Sequence, residues 1–464
     1  MKRSIAMCAA LLAGVALPGA TQAQTSKQIS DVVAKASGSL AVLKYTIEIQ
    51  TGNRTGAGQA VCISPQGVFL TTSLDPRMRV EQLKDFQLVL PGVAGKTLKA
   101  KLLGIDPWTG LGFVQCTEAH TWQVVQFSRT SNLKIGDDVV SIGLMMSDPS
   151  WPVYVGAAHV GSKLRVPNEL VYVAGGRLTG SCSPVFAADG RAVGIVGRQL
   201  PLGFETPTQR GMAPLRLLSQ QQAVFFTPVE EFVHAIEKMP TDGKVARLPW
   251  LGINKFEALP KDTADMLKLK IPSVKIDEVI PQQPAAKAGL EDRDIIVEMD
   301  GKPIEKLATP DLTVKNFVRK LMRMKAGTIV KFKVIRGMTG TKEVAIKLEQ
   351  MPIRPNEAKQ YFNKPIGLLI REQVPLDEFL DKTGSSAAKG VVVVGMVRNS
   401  PAALADIRAG DVITIVNNKP VKTADAFKEV VESSLVAGPT KPIQIMVQRG
   451  EEPVILTVRP TAGS

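Results

Sequence analysis

The residues best suited to chemistry cluster in one stretch, Thr179 to Gly197, which reads TGSCSPVFAADGRAVGIVG. Ser181 stands in a turn of small and polar residues that ends at Pro184. The Asp189-Gly190 pair that follows, set between two β-prone runs, marks a tight hairpin. One large enzyme class places its nucleophile in such a loop. A serine hydroxyl attacks a carbonyl only when a base takes its proton and a third group orients that base. The chain has three histidines: His120 in a polar turn, His159 in a strand and His234 on a helix. All three read as surface or packing residues, with His159 the best placed of them to approach the loop. Cys182 is an alternative nucleophile that needs the same base, and no lysine has a spacing that recommends a Ser–Lys pair.

The elements that must hold this loop are short strands with regular Gly and Pro punctuation. They fall at Ala60 to Ser64, Val68 to Thr72, Lys99 to Gly104, Gly112 to Cys116, Asp138 to Gly143, Val153 to His159 and Leu170 to Val173. That spacing predicts an all-β sandwich or barrel. A mixed helix and strand leads in from Gln24 to about Ile49. Beyond the hairpin, Thr227 as N-cap and Pro228 at the first helical position predict a helix to about Lys238.

The 464 residues suggest about three domains. Lys2 and Arg3, the apolar run Ile5 to Leu17 and the small-residue site at Thr21 to Ala23 form a secretory signal peptide over residues 1–23, with an uncleaved anchor as the alternative. The mature protein is expected in an exported compartment, the periplasm. The net charge of +14 suits anionic surfaces, yet no zinc spacing or aromatic-basic motif points to nucleic acid. The basic run Lys315, Arg319, Lys320, Arg323 and Lys325 reads as a solvated helix face, or else a site for an anionic partner. Outside the leader, Cys62, Cys116 and Cys182 are odd in number and lack CxxC spacing, so one Cys62–Cys116 disulfide and three free thiols both stay open. No metal or cofactor is expected.

The rest of the chain contains a repeat. VIPQQPAAKAGLEDRDIIVEMDGKPI (Val279 to Ile304) aligns without a gap to MVRNSPAALADIRAGDVITIVNNKPV (Met396 to Val421). Each copy is preceded by an aliphatic-Gly-aliphatic triplet, Leu251-Gly252-Ile253 or Ile366-Gly367-Leu368. Each is followed by a helix, from Thr309 towards Gly327 or from Thr423 towards Gly438, and then by a strand ending in Arg-Gly. Pro352, Pro355 and Asn356 mark the boundary between copies.

These copies resemble PDZ domains in the circular arrangement of bacterial HtrA/Deg-type proteins. The segments GAGQAVCISPQGVFLTT, LLGIDPWTGLGFVQ, KIGDDVVSIG and SPVFAADGRAVGIVG resemble the trypsin-like domain of the same family, in order and spacing. The resemblance implies a mainly β fold: a two-barrel trypsin-like domain (24–245), then two α+β PDZ domains (248–352 and 358–464). It implies peptide grooves at Leu251, Gly252, Ile253, Val318 and Leu321 in the first copy, and at Ile366, Gly367, Leu368, Phe427 and Val431 in the second. It also implies family-style trimers. Trp250, beside the first triplet, is either part of the groove or an interdomain plug.

At the chemistry the sequence departs from the family pattern. Leu74 stands at the histidine position, Gly110 at the aspartate position, and Thr179 replaces the glycine two before Ser181. The expectation is a relic serine in an HtrA-like pseudoprotease whose PDZ domains bind peptides or exposed protein segments. Such a protein would act as adaptor, scaffold, quality-control binder or regulator of an active relative. The alternative is a serine endopeptidase using Ser181 with a non-standard base.

Overall fold

The computed structural model describes residues 19–49, 52–92, 96–197, 205–208, 211–214, 222–337, 340–380 and 387–460. The charged and apolar parts of the leader, residues 1–18, lie outside them. Among the described residues no helix is long and apolar enough to cross a membrane. Helix α1 (Gly19–Ala36) leads into the first barrel, built from β1 (Leu40–Ile49), β2 (Gly52–Ser64), β3 (Val68–Thr71), β4 (Leu83–Val89), β5 (Thr97–Asp106) and β6 (Leu111–Cys116). The strands run in the order β5-β4-β1-β2-β3-β6 and close through a β5–β6 pairing. The second barrel contains β7 (Asp138–Leu144), β8 (Val153–Arg165), β9 (Glu169–Ala174), β10 (Pro184–Ala187), β11 (Ala192–Ile195) and β12 (Phe225–Pro228), closed in the order β10-β11-β12-β9-β8-β7. Closure leaves no unpaired edge on either barrel.

One element departs from expectation. Phe225 to Pro228 is a strand, not a helix start: Thr227 pairs with Ile195, and Phe225 with Tyr172. Phe225 and Phe226 are buried, so barrel closure outweighs the capping signal at Thr227. A 3-10 turn follows, and α2 (Val233–Glu237) begins only beyond it.

The repeat folds twice into the same α+β unit. The first copy contains β13 (Ile253–Ala258), β14 (Val274–Val279), β15 (Ile295–Met299), α3 (Pro310–Met322), β16 (Ile329–Arg336) and β17 (Gly340–Lys347), with sheet order β13-β14-β15-β16-β17. The second contains β18 (Gln360–Asn363), β19 (Leu368–Glu372), β20 (Val391–Met396), β21 (Val412–Val416), α4 (Ala424–Ala437), β22 (Ile443–Arg449) and β23 (Glu452–Val458), in the order β18 to β23. Both helices start as the sequence predicts. Thr309 Oγ1 accepts from the Leu312 amide and Thr423 Oγ1 from the Ala426 amide, each at 3.2 Å.

Two features shared by the copies now have physical causes. The buried aspartate before each aliphatic pair takes a forked bond from the arginine of the Arg-Gly turn. Asp294 accepts from Arg336 Nε and Nη2, both at 2.7 Å. Asp411 accepts from Arg449 Nε at 2.9 Å and Nη2 at 2.7 Å. Paired geometry of this kind fixes orientation as well as charge. The triplet glycines have φ of +79° (Gly252) and +65° (Gly367), and a Cβ there would lie 2.0 Å from Gln283 Cβ or 2.3 Å from Ser400 Cβ. Only glycine fits both the backbone and the space.

Candidate functional site: the serine cleft and two peptide edges

Ser181 lines a cleft of about 810 Å³ between the barrels, together with Thr72, Ser73, Leu144, Met146 and Tyr154. Its Oγ is 3.0 Å from Thr72 Oγ1. A threonine hydroxyl is a donor and acceptor that does not ionise near neutral pH, so it orients the serine without activating it. Among the described residues no histidine, lysine or carboxylate lines this cleft.

The residues at the two other family positions are placed differently. Leu74 is 2% exposed and turned into the first barrel's core, its Cδ1 2.6 Å from where a Cβ on Gly112 would stand. Gly110 has φ +73° with open space on its side-chain direction, and neither residue lines the cleft. The nearby carboxylate of Asp106 accepts from the Thr109 amide at 2.8 Å and from its hydroxyl at 2.5 Å. His159 pairs with Asp138 at the opposite end of β7 from Leu144, six residues and about 20 Å away at a strand's rise. His120 packs its ring edge-on to Trp122. Burial, seconded by Arg323, pushes the His234 pKa below its ordinary value.

The loop backbone is tied inwards as well. The Thr179 amide donates to Ser141 Oγ at 2.8 Å, and the Gly180 amide to the Tyr154 hydroxyl at 2.7 Å. Thr179 is wholly buried. The N–H two residues before the serine, which an oxyanion hole would direct at the substrate, thus points into the barrel. Sequence reasoning missed Gln59, the residue that joins both barrels beneath the loop. Its Nε2 donates to the Cys182 carbonyl (3.0 Å) and to Ser183 Oγ (3.2 Å), while its Oε1 accepts from the Leu144 amide (2.7 Å). A polar residue between apolar neighbours in Gly58-Gln59-Ala60-Val61 was the available signal.

Cys62, Cys116 and Cys182 are free, buried thiols. Burial pushes the Cys182 thiol up to about 12 and that of Cys62 to about 11. A raised pKa leaves the unreactive thiol dominant at neutral and mildly alkaline pH. Neither of these two cysteines in the folded chain is expected to alkylate with iodoacetamide at pH 8 within an hour, whereas both should label on unfolding in guanidinium. Mass spectrometry showing native-state labelling at Cys182 would contradict this.

The basic helix face is not solvated throughout. Arg319, 6% exposed, donates to both Glu231 carboxylate oxygens (3.1 and 2.9 Å), and Arg323 Nη2 to Glu231 Oε2 (2.8 Å). Their anionic partner is thus a residue of the second barrel's own exit turn. Arg165 reaches Glu305 at 2.6 Å, and Lys320 meets the same carboxylate at 2.9 Å. These bonds hold one side of α3 against the barrel domain. Its other side faces β13, where Phe317 meets Phe256 edge-on at 5.3 Å. On α3, Val318 is half-buried and Leu321 buried, while Phe427 and Val431 on α4 are fully buried. Trp250 is an interdomain plug: it packs with Ala358, Val374, Leu376 and Phe379 of the second copy, its Nε1 donating to Gln283 Oε1 at 3.0 Å.

Two closed antiparallel barrels with a serine loop between them, followed by two copies of a β-sheet unit with one helix beside its edge, define a trypsin-like domain carrying tandem PDZ domains. The PDZ domain family matches residues 250–348 and 367–459. A probable periplasmic serine endoprotease DegP-like from Pseudomonas fulva (strain 12-X) is 29% identical over 350 residues, 72% of this chain and 66% of that protein. Another of the same description, from Hahella chejuensis (strain KCTC 2396), is 28% identical over 378 residues, 78% of this chain and 73% of the relative. The chain thus spans about two thirds of the length of such curated relatives. Among solved structures, HtrA-type protease AlgW with tripeptide matches with a TM-score of 0.52 at 18% identity, covering 70% of this chain and 98% of that one. Over most of its length the chain is thus similar to DegP-like serine endoproteases, and its fold is that of an HtrA-type protease.

Proposed function

We propose that this protein is an exported, periplasmic HtrA-type binder of peptide segments and exposed protein termini, and that its barrel domain does not cut. The observation that carries this reading is the pairing of Ser181 with Thr72, a hydroxyl standing where a base is needed. The inward-tied amides of Thr179 and Gly180 support it. A PDZ groove works through backbone hydrogen bonds to an added strand, so it needs no catalytic side chain. In the first copy, β13 is the terminal strand of its sheet with α3 beside it, and Leu251, Gly252 and Ile253 form the loop for a terminal carboxylate. Such a protein serves as adaptor or quality-control binder. The leader and the periplasmic description of the relatives support the compartment. The relatives' description as serine endoproteases favours a second reading, in which a rearrangement brings a base to Ser181.

A fluorophosphonate probe separates the two. No labelling at Ser181 and no casein cleavage are expected at micromolar protein over hours. Rapid labelling that Ser181→Ala abolishes would establish the protease instead.

A further inference from the structure

The peptide edge of the second PDZ domain is already taken. Strand β18 pairs antiparallel with β19 along its full length, Gln360 opposite Arg371 and Asn363 opposite Leu368, while the other edge of β19 pairs with β20. A peptide that adds to β19 with its carboxyl end at the Pro365 to Leu368 loop must run antiparallel to that strand, since the loop begins it. β18 has this polarity, and Asn363 lies at the carboxylate end.

The side chains complete the likeness. Asn363, 2% exposed, accepts from the Ile366 amide through Oδ1 at 3.1 Å, and the Lys364 carbonyl accepts from the Gly367 amide at 3.1 Å. Two amides of the loop are therefore satisfied from within, one by Asn363 of the strand and one by Lys364 of the turn that follows it. Two residues back, on the same strand face, Tyr361 sets its ring against Phe427 of α4 at 6.2 Å. Its hydroxyl donates to Glu432 at 2.9 Å and accepts from Asn363 Nδ2 at 3.0 Å. Lys359 reaches Asp425 at the start of α4, at 2.5 Å. The first copy is built otherwise. There the residues ahead of the triplet, Pro249 and Trp250, pair with Gln350 and Glu349, and no described strand lies on the outer edge of β13.

We infer that Gln360–Asn363 is an internal ligand of the second PDZ groove, so that among the described residues the peptide edge left without a strand is that of β13, in the first PDZ domain. The second accepts a peptide only when this strand is displaced. The inference rests on the peptide-binding reading above. A groove occupied about 99% of the time by its tethered strand weakens an external peptide by about 100-fold, which makes the second domain a receptor for high local concentrations only.

Hydrogen exchange read by mass spectrometry on the full chain tests this, with a synthetic decapeptide ending in Gln-Tyr-Phe-Val and a free carboxylate as probe. In the wild type, amides at 360–363 and 368–372 should be protected without peptide, and 50 μM probe should leave those at 366–372 unchanged. In Tyr361→Gly/Asn363→Gly, protection at 360–363 should fall at least tenfold and the probe should restore protection at 366–372. Tyr361→Ala alone serves if the double variant does not fold. The inference is overturned if wild-type residues 360–363 exchange like unstructured chain. It also fails if the probe protects 366–372 equally in wild type and variant, or if the released variant gains nothing from the probe. An array of free-carboxylate peptides that never protects 251–258 would sink the peptide-binding reading of the first domain, while the gain in the released variant still reports on the second.

Discussion

Replacing Glu231 by alanine is expected to release the first PDZ helix from the barrel domain and to cost about 3–5 kcal/mol, the range for removing one partner of a buried ion pair. Glu231 is 9% exposed and accepts from Arg319, Arg323 and the Glu169 amide (3.1 Å). Without it the Arg319 guanidinium remains buried, with only Asn316 Oδ1 accepting from its Nε and Nη2 at 3.2 and 3.0 Å. The cost comes from that stranded charge more than from the lost attraction. It follows that Glu231→Ala/Arg319→Met should recover most of the loss, because an apolar side chain tolerates the site that an unpaired cation does not. Lys320→Ala is the control: its partner Glu305 is a third exposed, and such a pair contributes at most about 1 kcal/mol. Hydrogen exchange along 310–322 gives the readout by region, which a global melt of a multidomain chain does not. Unchanged protection in Glu231→Ala, or no recovery in the double variant, would refute the account.

This contact also marks the limit of what the sequence disclosed. The repeat was legible because two 26-residue segments align without a gap, and both helix caps and the Asp189-Gly190 hairpin because each is local, a cap or a turn type within a few residues. Strand punctuation predicts an all-β sandwich or barrel, and of the two the chain forms barrels. Arg319 and Arg323 looked like one side of a solvated helix because their partner, Glu231, lies more than eighty residues away in another domain. Thr227 and Pro228 carried a sound helix-start signal, but Thr227 pairs with Ile195 to close a barrel, and tertiary pairing overrides local preference. β18 escaped notice for a related reason. Gln-Tyr-Phe-Asn is too short for a period to show, and its partner strand begins only across a four-residue loop. At the candidate site the sequence supplied Ser181 and the unusual Leu74, Gly110 and Thr179. It could not say that the Thr179 amide turns inward or that Thr72 meets the serine, since both depend on how two barrels abut.

Gln59→Leu is expected to unfasten that abutment. The side chain is 4% exposed and makes three hydrogen bonds, all to the second barrel. Leucine has similar bulk, so packing around Ala57, Gly58 and Leu144 changes little. What changes is that the Leu144 amide and the Cys182 carbonyl lose their Gln59 partners in a site closed to solvent. Each unsatisfied buried group costs about 1–3 kcal/mol, which places the total near 2–6 kcal/mol and above most core substitutions of equal volume. Gln59→Glu would be no remedy: a carboxylate still accepts from the Leu144 amide but cannot donate to the Cys182 carbonyl, and its charge would be buried without a cation. The nearest informative variant is therefore Gln59→Met, which should track Gln59→Leu if hydrogen bonding rather than shape is responsible. Cys182 supplies a local reporter, because its backbone is one of the groups that Gln59 holds. Loosening the floor of the cleft should admit water to a thiol now wholly buried, lower its pKa from about 12 and let iodoacetamide reach it in the folded variant. Thermal stability within about 0.5 kcal/mol of the wild type, with Cys182 still silent, would mean that the barrels are joined by apolar packing alone and that the glutamine is incidental.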